Sequence, residues 1–364
     1  YTMGSVVTSV PALLPADIQA MSEALRTNAF LTPDIMDIHA VVGGVNGNKR
    51  MAILGQFSGL AGKVKDACDV TPSSGTSVIS SKTWTPQYIS DRFEQCYEDL
   101  MGTCIQWMLK SGLSKEDLSG TEFAKWLETE VLNVVIKETW MRHAWFGDTA
   151  LNDSTYNGIN STTLPYFNAI DGLWKQIFGL NGGASFITNL NSKNTQTTTA
   201  AQAFNSTDTS NQVATNAFRD LFYAADIRLR TKAKNELVWL CTQTVADQYE
   251  KERLAVSSID SPYRRLEEGF GPMTAMGIDI IPVHFWDRII SGYYGVTSGG
   301  NTNLFKPHRM ILAHRQNLMI GTESTTDLDY LEVDYSKRDK KWSADFGFML
   351  DAKVGLDELT AAAY

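Results

Sequence analysis

His308 and His314 lie six residues apart, so on a β-strand they share parity and face the same way. Two imidazoles so placed could hold a transition metal. A zinc-type centre needs at least a third protein ligand, and none follows at ligand spacing. His143 sits between Trp140 and Trp145 in a helical stretch, and it reads as a packed, hydrogen-bonded imidazole rather than a general base. Glu128 and Glu130 are two apart on the same helix and do not face each other, so they form no acid–base pair. Glu267 and Glu268 follow Arg264 and Arg265, which is the pattern of a solvated ion-pair face. Asp327, Asp329, Glu332 and Asp334 could crowd a cation, and they read instead as the wet face of a strand. Cys68, Cys96, Cys104 and Cys241 show no CxxC spacing and no histidine partner, which points to reduced, intracellular thiols. The sequons at Asn152, Asn160 and Asn205 matter only in a secreted eukaryotic protein, which nothing else suggests.

Motifs with a built-in mechanism are missing. There is no GxSxG elbow, phosphate-binding loop, HExxH pair, kinase set or GxGxxG opening a helix. GFGPMTAMG at 269–277 has three glycines, but Pro272 and the spacing defeat a dinucleotide reading. No catalytic, cofactor-binding or metal-binding residue is therefore assigned, and no cofactor is expected.

The bulk numbers narrow the class. In 364 residues, 43% are hydrophobic and 20% charged, a globular balance with room for one large domain or two to three smaller ones. The net charge of −9 argues against gripping phosphates. The only dense basic run, Lys337, Arg338, Lys340 and Lys341, is broken by Asp339 and sits where a turn belongs. No apolar run approaches the ~18 residues of a membrane span, and the start lacks a signal-peptide pattern.

The elements that must position these residues are unusually long. From Thr121 to Asp148, Phe123, Trp126, Leu127, Val131, Val134, Val135, Trp140, Met141, Ala144 and Trp145 fall at helical spacing. That predicts an amphipathic rod, capped by Thr121 and closed by Gly147. Before it, PADIQAMSEALRTNAF makes a short terminal helix. Residues 42–86 form a Gly- and Ser-rich ribbon with strand-like runs at 50–54, 64–70 and 76–84. Residues 87–111 read as helical or mixed, from the spacing of Tyr88, Phe93, Cys96, Leu100 and Cys104.

After the rod, helices are expected at 168–178, 212–233 and 245–257, and apolar strands at 236–242 and 277–283. The stretch 179–212 is a polar surface excursion. Asp327–Tyr335 and the run from Trp342 make a long antiparallel hairpin. No repeat is visible. A lone subunit gains little from arm, ribbon, rod and hairpin, because each offers edges and apolar faces that invite association.

This order resembles the major capsid proteins of tailed bacteriophages with the Hong Kong 97-type fold. The passages ETWMRHAWFGD, LPYFNAIDGLWKQIF, ELVWLCTQTVADQYEKERL, GIDIIPV, ILAHRQNLMIGTES and SADFGFMLDAKVGLDEL are similar to capsid proteins of crAss-like phages of gut Bacteroidetes. The resemblance implies an α+β fold with a terminal arm at 1–41 and an extended loop at 42–86. It implies a peripheral domain with spine helix at 87–148, an axial domain at 149–305, and a peripheral return with β-hairpin at 306–364. It implies a non-enzymatic subunit that self-assembles into hexamers and pentamers of an icosahedral shell around double-stranded DNA, without sequence-specific binding. Implied partners are further copies of the chain, a portal protein, a scaffold or maturation protease, and decoration proteins; no membrane is implied. Assembly in the bacterial host cytoplasm is implied, and a Tyr start fits N-terminal trimming. Two alternatives stay open: an encapsulin-type compartment, and an enzyme with an unrecognised site in 149–305.

Overall fold

The computed structural model describes residues 38–58, 76–96, 133–153, 158–180, 186–187, 212–256, 273–294, 306–323, 330–336 and 341–364. The terminal helix expected near Pro15, the ribbon tip with Cys68, and the front of the rod with Glu128 and Glu130 lie outside these residues. So do Glu267, Glu268, Asp327 and Asp329.

In chain order the strands are β1 (Ala40–Val42), β2 (Arg50–Ser58), β3 (Thr76–Thr83), β4 (Gln87–Cys96), β5 (Phe186–Ile187), β6 (Leu237–Cys241) and β7 (Thr274–Ala275). They continue with β8 (Ile278–Pro282), β9 (Met310–His314), β10 (Leu318–Gly321), β11 (Tyr330–Ser336), β12 (Lys341–Val354) and β13 (Thr360–Ala363). The helices are α1 (Asn133–Phe146), α2 (Leu173–Gly179), α3 (Val213–Ala224), α4 (Ile227–Arg230), α5 (Gln243–Val256) and α6 (His284–Tyr293).

Three sheets organise these elements. The six-stranded sheet runs β5-β13-β9-β6-β8-β7. Its central strand β6, LVWLC, is buried at every position because both faces are covered. Alternate side chains feed two cores. Val238 and Leu240 of β6 with Ile311 and Ala313 of β9 face one core, with α1, α2 and α6. Trp239 and Cys241 with Met310 and Leu312 face the other, against α3 and α5. The parallel pair β6–β8 is joined through α5, as a parallel pair requires a crossover.

The five-stranded sheet is built around β12. Residues Lys341–Gly347 pair with β11, Lys341–Leu350 with β4, and Asp351–Val354 with β10. Its buried face, Phe346, Phe348, Leu350 and Ala352, closes the first core from the other side. Strands β2 and β3 pair only with each other among the described residues, with a register shift between Leu54 and Phe57. Strands on either side of position 306 share the six-stranded sheet: β9 lies between β6 and β13.

Four expectations need correction. Residues 87–96, expected as part of a helical or mixed stretch, form strand β4 throughout. The wide apolar spacing there fits neither period cleanly, and ten-residue pairing with β12 decides it. Val134, placed on the apolar stripe of the rod, is 56% exposed, whereas Trp140, Ala144 and Trp145 are fully buried. Gly147 is not a left-handed cap; its φ is not positive. Glycine is needed there for closeness: a Cβ would lie 2.4 Å from the Ile170 carbonyl oxygen and 2.6 Å from that of His143. Helix 212–233 is also split, α3 ending at Ala224 and α4 starting after Asp226, whose carboxylate accepts from the Arg228 amide.

Candidate functional site

The chemistry-bearing side chains are consumed by the architecture. Packing of α1 on α2 and α6 brings Trp145 to 4.7 Å from Trp286 and 5.8 Å from Trp174, ring centre to ring centre. Trp174 and Trp286 are 4.9 Å apart. The indole nitrogens of these three have no hydrogen-bond partner among the described residues, so the hub is held by packing and edge-to-face contact. His143 lies beside this hub, 3% exposed. Burial, then the neighbouring Arg142 charge, pushes its pKa down to about 3. An imidazole neutral at every ordinary pH packs well and shuttles protons poorly.

His308 and His314 do not converge. The His308 ring contacts the Thr244 hydroxyl at 2.9 Å, and burial pushes its pKa down to about 4. His314, at the end of β9, lies 3.7 Å from Glu236. Among the described residues no three His, Cys, Asp or Glu side chains gather where a metal ion could sit. The Cys241 thiol is fully buried, and burial pushes its pKa up. Glu332 is exposed on β11, as a wet strand face requires.

Sequence reasoning missed three charged residues. Arg309 is fully buried, with its guanidinium 4.9 Å from the Trp174 ring centre and 5.4 Å from that of Phe146. Its Nε donates to the Lys306 carbonyl at 2.8 Å. A desolvated cation over aromatic faces gains about 2 kcal/mol. The hint was an arginine at the mouth of the apolar run MILAH. Glu252 is 1% exposed and accepts from the Ala214 amide at 3.0 Å and the Thr215 amide at 2.8 Å. One carboxylate thus caps the start of α3 from another helix, which no local pattern reveals. Lys175 reaches Asp148 at 2.6 Å and Asp171 at 2.7 Å. Burial works to lower its pKa, and those two bonds outweigh it, so the ammonium is held charged.

The base of the β2–β3 ribbon is pinned to the five-stranded sheet. The Thr85 amide donates to Asp351 Oδ2 at 2.6 Å, and Lys82 Nζ donates to the Val354 carbonyl at 2.8 Å and to Asp357. Trp84 is 3% exposed and lies against Gly321, where a Cβ would come within 2.8 Å of its ring. A pocket of about 410 Å³ opens beside this base, lined in part by Lys82, Gln176, Lys353 and Asp357. Its polar groups are committed: Lys82 to Asp357, and Gln176 to the backbone of Ala352 and Val354.

Two kinds of outward feature remain, an open strand edge and exposed apolar side chains. Strand β11 has no partner on its outer side among the described residues. Among the described residues Tyr88, Tyr166, Tyr223, Ile227, Val134 and Met276 are the exposed large apolar side chains.

Comparison with known structures meets this geometry. A chain of the satellite phage P4 procapsid, solved with its size determination (Sid) protein, superposes with a TM-score of 0.54 at 11% identity, over 99% of this chain and 93% of that one. The fold is that of a phage procapsid chain. A chain of the cyanophage P-SCSP1u capsid aligns over 100% of this chain and 92% of that one, at TM-score 0.49 and 11% identity. The SrpI encapsulin of Synechococcus elongatus aligns over 99% of this chain and 91% of that one, at TM-score 0.40 and 11% identity. No family model matches the sequence, and no curated protein matches it. No helix among the described residues is long and apolar enough to cross a membrane.

Proposed function

We propose that this chain is the major shell protein of a tailed bacteriophage, with the Hong Kong 97-type layout and of the kind found in crAss-like phages. Hexamers and pentamers of it close an icosahedral capsid around double-stranded DNA in the host cytoplasm. The observation that carries this reading is the fold shared with a procapsid chain over nearly the whole length. The physical setting supports it. The ribbon is pinned at its base and paired with nothing beyond itself among the described residues, and isolated two-stranded ribbons need a partner surface.

In this reading residues 1–41 are the arm, 42–86 the extended loop, 87–148 the peripheral domain with its spine helix, 149–305 the axial domain and 306–364 the return. Strands β9 and β13 tie the return into the axial sheet. Further copies of the chain are the main partners; a portal protein, a scaffold or maturation protease and decoration proteins complete the particle. The protein has no enzymatic role. Many modest interfaces closing under symmetry do the work.

Sedimentation and negative-stain imaging of the purified protein, expressed with its scaffold or taken from virions, test the reading. Closed shells or capsomer rings are expected, with nuclease-protected double-stranded DNA in the native particles. A protein that stays monomeric or dimeric under assembly conditions overturns it.

A further inference from the structure

Among the described residues, Ile227 at 65% and Tyr223 at 60% are the most exposed large apolar side chains. They flank the α3–α4 junction, and that junction is stiff. Asp226 accepts from the Arg228 amide at 2.8 Å, and the Thr231 hydroxyl donates to the Ile227 carbonyl at 2.9 Å. Beneath, Lys234 Nζ stacks 4.1 Å from the Phe222 ring centre. The corner is also basic: between Arg219 and Lys234 there are five basic residues and two acidic ones, in a chain of net charge −9. Arg228 reaches Glu358 at 3.3 Å, while Lys232 is exposed at the rim.

A second outward feature lies in the β7–β8 turn. Met276 has φ +55 and Gly277 φ +77, so both central residues of this two-residue turn are left-handed. Such positions favour Asn, Asp or Gly. Methionine serves the turn poorly, and the residue is still 39% exposed. A residue unfavourable for its backbone and for water is accounted for by a contact it makes elsewhere. The hairpin around it, 273–283, carries Asp279 and no basic residue. Asp279 is 58% exposed, with Arg315 at 3.6 Å.

We propose that the β7–β8 turn of one copy seats on the α3–α4 corner of the next, with Met276 against Tyr223 and Ile227 and Asp279 facing Lys232. The inference rests on the shell reading, because a ring built head to tail requires two different and mutually complementary surfaces on each copy. The two surfaces match in kind. One offers a flexible thioether and the other an aromatic face, a favourable pairing. Asp279, though beside Arg315 of its own copy, keeps exposed carboxylate surface that can attract Lys232, which helps fix register.

Cysteine pairing tests the contact. Particles of the Met276→Cys/Tyr223→Cys double variant, and of Met276→Cys/Ile227→Cys, are oxidised mildly and run on a non-reducing gel. At least one pair is expected to give a ladder of covalent multimers that reductant collapses. The single variants and the wild-type chain, with its four native cysteines, give none. Intact particles without a ladder from either pair overturn the contact and leave the shell reading standing. Absence of any wild-type particle overturns the shell reading itself. Should the cysteine variants not assemble, a charge exchange decides. Lys232→Glu is expected to slow assembly several-fold at low salt, and adding Asp279→Lys to restore it. A double variant no faster than Lys232→Glu alone overturns the contact.

Discussion

Replacing Gly147 by Ala isolates one structural cause. A Cβ there would lie 2.4 Å from the Ile170 carbonyl oxygen, 2.6 Å from that of His143 and 3.2 Å from an Ile170 side-chain carbon. The two closest atoms are backbone, in helix α1 and in the segment leading to α2, so neither yields without moving its element. The Gly172 amide donates to the Gly147 carbonyl at 2.8 Å, and the Asp148 amide to the Phe167 carbonyl at 2.8 Å, so a shift also strains these bonds. Overpacking of this kind costs about 1–3 kcal/mol. Against it, an alanine restricts the unfolded chain and returns about 0.4–1 kcal/mol. The clash wins, by about 1–2 kcal/mol. Gly179→Ala is the matched control: it closes α2, and a Cβ there meets nothing within 4 Å. It should be neutral or stabilising by about 0.5 kcal/mol. Urea unfolding of the dissociated subunit, followed by tryptophan fluorescence, should place the two variants on opposite sides of wild type, about 2 kcal/mol apart. A Gly147→Ala midpoint at or above wild type would refute the close-approach argument.

Trp145→Ala empties the centre of the indole hub and should cost about 3–5 kcal/mol, read as loss of soluble protein or a collapsed urea midpoint; Trp145→Phe should recover part of it. Glu252→Gln keeps shape but removes the charge that caps α3, and a loss of about 1–3 kcal/mol is expected in the same assay; an unchanged midpoint would show that the carboxylate contributes nothing beyond its volume. The neutral histidines set an acid slope. Their folded pKa values, about 3 for His143 and about 4 for His308, lie below the unfolded value of 6.5, so the unfolded chain binds more protons below that pH. Stability contributed by these two is full above pH 6.5 and should fall by about 2–3 kcal/mol each by pH 4.5. Burial raises the carboxyls of Asp287 and Asp351, which act in the opposite sense. The comparison therefore uses His143→Asn, whose unfolding free energy should fall less steeply between pH 7 and 4.5 than wild type; equal slopes count against a buried neutral His143.

Much of the secondary structure was legible because its pattern is local. LVWLC and IDIIP are short apolar runs between turn signals, and both are strands of the central sheet. The hairpin of β11 and β12 follows from two strand-like runs about a polar turn. The ribbon's outer runs pair as read, Arg50 opposite Thr83. Strand β4 was not legible, since its pairing partner lies some 250 residues away and nothing near Gln87 announces β12. A like distance hides Lys82 against Asp357, and a shorter one, 38 residues, still hides Glu252 under α3.

By itself the sequence determined a globular, acidic, α+β chain without a catalytic signature. Periodicity, composition and turn chemistry act over a few residues, and those quantities follow from them. Only the tertiary structure decided which glycine is there for closeness, where Arg309 is desolvated, which histidines are neutral and which apolar residues stay outside. Each of those depends on what other segments bring within a few ångströms, and burial, unlike periodicity, is a property of the packed whole.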